Sequence, residues 1–346
     1  MMMVEIFRSY LIMYFILRYS IDDQELLKVV EGSKSFNRHN TTVMVVDFLP
    51  QMKYIYGKTL RRVCEEVADL RKIVQSKYRE HLITFKPEVD RDFCDCLIGA
   101  KFEAEAENRE YGQYLTDDNL GLVLYDLFIG ATDSTRIQLY WIILFMANFP
   151  KMQQTMRDEI ENVIGHDQMV RHEHKIRLNY VQAFVSETLR HRPVFPVAIR
   201  KAIVNSTIAG HSIPKDTSLT MNLFAILHDP KYWDNPDEFR PERFLDENGV
   251  HKPRLQGFSP FGFGRRSCPG EKLALVDLIL ATSSLLQATR GYEIVLPDGP
   301  GSVNLYGDID VTQFLQPESY KIALKPIYSN LGILVALAQA GVGPQA

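Results

Sequence analysis

PFGFGRRSCPGEKLAL, residues 260–275, decides how the chain is read. A single cysteine, Cys268, follows glycines, two phenylalanines and two arginines, and stands just ahead of a helical pattern. Glycine permits tight turns and positive φ, and Pro269–Gly270 sets the turn into the helix. A thiolate at a helix N-terminus is stabilised by the free N–H groups and the helix dipole. The same N–H groups can bond the sulfur and tune a metal held on it. Arg266, two residues before the cysteine, supplies a cation for an anionic group. A buried, inert cysteine, the common fate of a free thiol, needs none of these neighbours.

A ligand that calls for a thiolate, a flat apolar wall and an arginine for its acid groups is haem, for which cysteine thiolate is a proximal ligand. The stretch carries the whole pattern F-x-x-G-x-R-x-C-x-G as Phe261, Gly264, Arg266, Cys268 and Gly270. On these residues the chain resembles the cytochrome P450 family. Further motifs follow in the family's order. Glu187 and Arg190, in SETLR, match its E-x-x-R helix motif. FRPERF, residues 239–244, matches its meander motif and brings in Arg243. Alone, E-x-x-R reads as an exposed helix pair worth a few tenths of a kcal/mol. With the other motifs, the resemblance implies a buried Glu187–Arg190–Arg243 network that supports the cysteine loop and does no chemistry.

The strongest helical pattern runs from Asp117 to Asn148, with Thr116 and Asp117 as N-cap and Pro150 beyond its end. At 1.5 Å per residue it makes a rod of roughly 45 Å. It is apolar nearly all round and reads as buried, since Asp126, Asp133, Arg136 and Gln138 interrupt it too often for lipid. Its GATDST run, Gly130 to Thr135, resembles the family's oxygen-binding helix, with Ala131 where glycine is usual and Ser134 where threonine is usual. Gly130 and Ala131 leave room for a flat ligand and O2. The Ser134 hydroxyl can bond the carbonyl four residues back and open the helix locally. Asp133 and Ser134 then stand as proton donors, with Thr135 the next hydroxyl. The resemblance places Val197, Ala198 and Ile199 in the substrate pocket. The resemblance also sets Arg200 or Lys201 near where relatives often use a basic or histidine side chain for a haem acid group, and the sequence leaves both open.

Composition bounds the rest. The 346 residues are 46 % hydrophobic and 24 % charged, ordinary values for a chain with a large core. A net charge of −4 argues against a nucleic-acid partner. Cys64, Cys94, Cys96 and Cys268 are scattered, without a CxxC, which fits a reducing compartment. His172 and His174, in RHEHK, lack the H-E-x-x-H spacing of a zinc site. With no G-x-G-x-x-G and no P-loop, the chain itself carries no nicotinamide or flavin site. The opening MMMVEIFRSYLIMYFILRYS contains Glu5, Arg8 and Arg18 and reads as a buried or amphipathic helix. Helical patterns followed by short strands give a mostly α fold with small β-sheets, an α+β class and one domain over 1–346.

The resemblance, which covers residues 16 to 328, implies a haem-dependent monooxygenase of the microsomal type that oxidises lipophiles. Its substrates would be O2 and a lipophilic small molecule. Electrons would come from NADPH through NADPH-cytochrome P450 reductase, at the cytosolic face of the endoplasmic reticulum membrane. An alternative on the same scaffold is a hydroperoxide isomerase or dehydratase, which needs no proton relay. The family's membrane anchor, first strands and W-x-x-x-R haem clamp find no match. Trp141 and Trp233 lack an arginine four residues on, and the tail 331–346 is atypical. The expectation is therefore an N-terminally incomplete chain that holds haem weakly, with a non-catalytic product as the other alternative.

Overall fold

The computed structural model describes residues 49–309 and 314–327, with a few isolated positions before residue 49. The apolar opening segment and the tail after residue 330 lie outside the described residues. Contacts group the chain into two units, Met1–Arg136 with Ile309–Phe314, and Ile137–Asp308 with Leu315–Ala346.

In the first unit, charged and apolar residues at helical spacing form α1 (Lys53–Thr84), α2 (Phe93–Ala106) and the first half of α3 (Asp117–Asn148). Each helix offers apolar residues four apart: Leu70, Val74 and Tyr78 on α1, Cys94 and Ile98 on α2, Leu120, Leu124 and Phe128 on α3. These eight make one buried cluster, as stripes on one face of a helix should. Asp92 caps α2, its carboxylate accepting from Asp95 N at 3.1 Å. Thr116 caps α3, accepting from Asn119 N at 3.2 Å, as the sequence predicts. Asp117 then accepts from Tyr78 of α1 at 2.8 Å and from Lys101 of α2 at 2.7 Å.

The second unit holds the rest of α3, α4 (Pro150–Ile164), α5 (Asn179–His191), the short α6 (Leu223–Leu227) and α7 (Glu271–Ala288). The strands are β1 (Val197–Lys201), β2 (Ser206–Ile208), β3 (His211–Ile213), β4 (Ser218–Asn222), β5 (Tyr292–Val295), the two-residue β6 (Asp308–Ile309) and β7 (Leu315–Gln316), and β8 (Ala323–Pro326). β1 pairs antiparallel with β4, β2 with β3, and β5 with β8. The last strand starts only at Ala323, three residues beyond Tyr320. Tyr320 is spent instead on a hydrogen bond, its hydroxyl donating to the Tyr140 carbonyl at 2.6 Å.

Helix α4 grips two others by their ends. Glu159 accepts from the free N–H groups of Tyr180 and Val181 at 2.8 and 2.9 Å, capping α5 from outside. Arg157 donates to the carbonyls of Leu286 and Tyr292 at 2.6 and 2.7 Å, at the end of α7. Cations belong at a helix C-terminus. Behind this clamp Phe239 stacks on Phe145 at 4.2 Å and meets Phe184 edge-on at 5.2 Å, arrangements favoured by the ring quadrupoles.

His191, His228 and His251 are packed into this unit. His191 donates from Nε2 to the Asp237 carbonyl, His228 from Nδ1 to the Phe224 carbonyl, and His251 meets the Ser186 hydroxyl. Burial, with Arg192 nearby, pushes His191 down to about 2. Burial likewise pushes His228 and His251 down to about 4. An unfolded histidine takes its proton near pH 6.5, so on acidification the unfolded chain binds protons first. Stability from these groups is complete above about pH 6.5 and is lost as pH falls toward 4, at up to about 1.4 kcal/mol per pH unit for each histidine. Denaturant midpoints measured between pH 7 and 4 should decline over that window. His251→Gln should remove one histidine's share of the slope.

Candidate functional site

The cysteine loop is built from backbone bonds. Gly262 and Gly264 take φ of +73° and +75°, a conformation open to glycine and costly for other residues. Gly262 N donates to Ser259 O at 3.0 Å, Ser267 N to Gly264 O at 3.1 Å and Cys268 N to Phe261 O at 2.9 Å. The last bond sets the cysteine opposite Phe261. Gly270 is the N-cap of α7, and a Cβ placed there would lie 3.8 Å from Cys268 Sγ. The thiol is exposed, as are Phe263 and Arg266. Further back, a Cβ on Gly257 would meet Tyr232 Cβ at 2.8 Å, so glycine there lets the loop press against the meander.

Glu187 and Arg190 are both fully buried on α5. Arg190 donates to the Glu187 carboxylate twice, at 2.7 and 2.9 Å, and to the Leu227 carbonyl at 3.0 Å. Arg240 N donates to the same carboxylate at 2.8 Å, and Arg243 Nε lies 3.4 Å from it. Arg243 also donates to the carbonyls of Asp234 and Asn235. Burial pushes the Glu187 carboxyl up, against the Arg190 bonds, which favour its charged form. The three residues of the expected network are thus together. They hold the meander whose Trp233, Phe244 and Phe258 pack beside the loop's approach.

Of the two basic residues on β1, Arg200 donates to the Arg266 carbonyl at 3.1 Å. Lys201 pairs with Asp216 at 3.2 Å on the outside. The alternation of a strand sends neighbours to opposite faces, a choice that two adjacent cations do not reveal in sequence. Val197, Ala198 and Ile199 are half-buried on the same strand.

In the first unit, Gly130 faces open space and Asp133 and Thr135 are buried. Ser134 Oγ donates to the Gly130 carbonyl at 2.7 Å, and Thr132 Oγ1 does the same to Phe128. The helix nevertheless runs through 130–135 without a break, because a carbonyl has two lone pairs and can accept the hydroxyl and the backbone N–H together. Asp133 is ion-paired with Arg136 at 3.0 Å. The signal for that partner in the sequence is the i,i+3 spacing of Asp133 and Arg136.

Residues 9–291 match the family described as cytochrome P450. The chain belongs to the cytochrome P450 family. A steroid 17-alpha-hydroxylase/17,20 lyase of Squalus acanthias is 30 % identical over 310 residues, covering 89 % of this chain and 60 % of that protein. One from Ictalurus punctatus is 35 % identical over 284 residues, 80 % of this chain and 54 % of its own length. A cytochrome P450 1A1 of Felis catus is 31 % identical, with 82 % and 54 % covered. The chain thus spans a little over half the length of these relatives.

Haem is the cofactor of the cytochrome P450 family. The loop's donors suit it: an exposed thiol at a helix N-terminus, glycine rather than a side chain beside the sulfur, and the guanidinium of Arg266 in solvent. Replacing Glu187 with alanine tests the support beneath this loop. Arg190 would remain buried without its carboxylate, a change that typically costs roughly 3–5 kcal/mol. Urea unfolding should show that loss, and Lys201→Ala, on an exposed pair, should show less than about 1 kcal/mol.

Proposed function

We propose that the chain is a haem-thiolate monooxygenase, its two units forming one catalytic domain, that puts one oxygen atom from O2 into a lipophilic organic molecule. The observation that carries this is the exposed Cys268 thiol at the start of α7, its N–H tied to Phe261 O. Haem held there supplies oxygen activation at iron, with electrons delivered from outside the chain. The chain's own residues do the rest. Cys268 is the sulfur ligand, presented at the start of α7. Arg266 and Arg200 offset the acid groups of the cofactor. Phe261 supplies apolar surface, while Gly264 and Gly270 give the loop its shape. Gly130 and Ala131 keep the face of α3 low.

Asp133 is the proton store in this reading. Its carboxylate is held by Arg136, and the hydroxyls of Ser134 and Thr135 stand one and two residues on. A carboxylate that exchanges its guanidinium partner for water can pass a proton at its oxygen. A hydroperoxide isomerase has no use for such a group. Val197, Ala198 and Ile199 form an apolar wall, and the named relatives suggest a steroid-sized, largely apolar substrate.

The electron donor in this reading is NADPH-cytochrome P450 reductase at the cytosolic face of the endoplasmic reticulum. Lys252, Arg254, Arg265 and Lys272 are exposed around the cysteine loop and have no ion-pair partner among the described residues. They give a net-acidic chain a local basic surface for an acidic partner. No helix among the described residues is long and apolar enough to cross a membrane.

The deciding measurement is the carbon monoxide spectrum of the reduced chain purified with haem supplied. Whatever fraction carries haem should show thiolate ligation, and Cys268→Ala should abolish it while Cys64→Ser and Cys96→Ser leave it intact. A thiolate spectrum surviving in Cys268→Ala defeats the reading. Asp133→Asn and Ser134→Ala should keep that spectrum yet release more hydrogen peroxide per NADPH consumed. Unchanged product per NADPH in both variants would remove Asp133 and Ser134 from the proton path.

A further inference from the structure

His81, near the end of α1, is 1 % exposed, and both of its ring nitrogens face acceptors. Nδ1 lies 3.0 Å from the Lys77 carbonyl and Nε2 lies 2.8 Å from Asp92 Oδ2. A neutral imidazole has one N–H and one lone pair. Either tautomer therefore sets a nitrogen lone pair against an oxygen lone pair, in a place water does not reach. The geometry is satisfied when the ring carries both protons. A proton on Asp92 would also relieve the clash, but the other oxygen of Asp92 caps α2, accepting from Asp95 N at 3.1 Å. A helix N-terminus favours the charged carboxylate.

Arg91 donates to Asp95 from Nε at 2.6 Å, from Nη2 at 2.8 Å and from its backbone N at 3.1 Å. It also reaches the His81 carbonyl at 3.4 Å and Thr84 Oγ1 at 2.9 Å. On α1 itself, Lys77 pairs with Glu80 at 3.5 Å. Burial pushes the Cys94 thiol far up, so it stays neutral. With an imidazolium, the side chains of His81, Asp92, Arg91 and Asp95 pair two positive charges with two negative ones.

We propose that His81 is a proton-operated latch: as an imidazolium it clamps the end of α1 to the first turn of α2, and loss of that proton releases the connection. The released face is not peripheral. Cys94 of α2 shares one buried cluster with Phe128 of α3, two residues ahead of Gly130. Burial alone would lower the affinity of the ring for its proton. The Asp92 bond and the Lys77 carbonyl outweigh that and raise the pKa above the ordinary histidine value. The sign follows: the clamp is complete below about pH 6.5 and is lost as pH rises through the higher folded value.

The test uses the full chain with labelled histidine and follows the His81 ring by NMR, beside alkylation of Cys94 by iodoacetamide located by mass spectrometry, both from pH 6 to 9. The ring should be doubly protonated at pH 6 and 7. Cys94, 0 % exposed, should label slowly at pH 6. Its labelling should then climb more steeply than in His81→Gln, by up to about tenfold per pH unit, the limit for one linked proton. In His81→Gln, labelling should start faster and follow only the thiol's own slope. Should that variant not fold, Asp92→Asn serves, and its His81 pKa should fall to the ordinary value or below. A neutral ring at pH 6, parallel labelling profiles, or a His81 pKa unmoved by Asp92→Asn would each overturn the latch. So would a ring signal that shifts on adding EDTA. The ligand atoms of His81, Asp92 and Asp95 lie within 4.8 Å of one another, and such a shift would mean that a divalent cation replaces the proton.

Discussion

Glu187 and Arg190 meet inside the second unit with no exposed surface on either, and much of the site rests on that pairing. Taking two charges out of water costs several kcal/mol each after relaxation, and only close geometry with further hydrogen bonds offsets it. Here the carboxylate receives two bonds from Arg190 and one from the Arg240 backbone, while Arg190 spends two further N–H groups on the carbonyls of Leu227 and Glu238. One helix is thereby joined to the end of another and to a loop region with little regular structure. A hydrophobic pair of the same volume would pack as well, but it would not specify where those carbonyls must lie.

The cysteine loop inherits its position from this arrangement and from the clamp of α4. Arg157 fixes the far end of α7 by its carbonyls, and Glu159 fixes the start of α5 by its N–H groups. Between them the loop needs only short-range bonds and two residues at positive φ to turn the thiol outward. Helix ends carry unsatisfied groups that must find partners, and in this unit those partners come from a neighbouring helix. The result is a thiol at a helix start that is positioned by the backbone without being covered.

The first unit uses polar groups differently. Asp117 collects a tyrosine from α1 and a lysine from α2 at the start of α3, so three helices meet at one carboxylate. His81 and Asp92 repeat the device at the other junction, with a histidine whose hold on its proton the Asp92 bond strengthens. Apolar stripes hold these helices together, while the polar contacts set which turn lies against which.

Local chemistry carried a long way here. The cysteine pattern, the helix limits Asp117–Asn148 and the Thr116 cap were readable, because periodicity, capping and turn residues act within a few positions of the chain. Family membership followed from motifs whose spacing is itself local. What the linear pattern could not give were pairings across long sequence distances. Arg157 finds a carbonyl 129 residues away, and Tyr320 one 180 residues away. It could not choose between Arg200 and Lys201, since both are exposed-looking cations and only the pleat of β1 against β4 decides which one turns to the loop. Nor could it mark His81, whose meaning lies in two acceptors brought against one ring. Those choices belong to tertiary structure for one reason: a side chain's charge and hydrogen-bond state depend on what surrounds it after burial, and burial is a property of the packed fold.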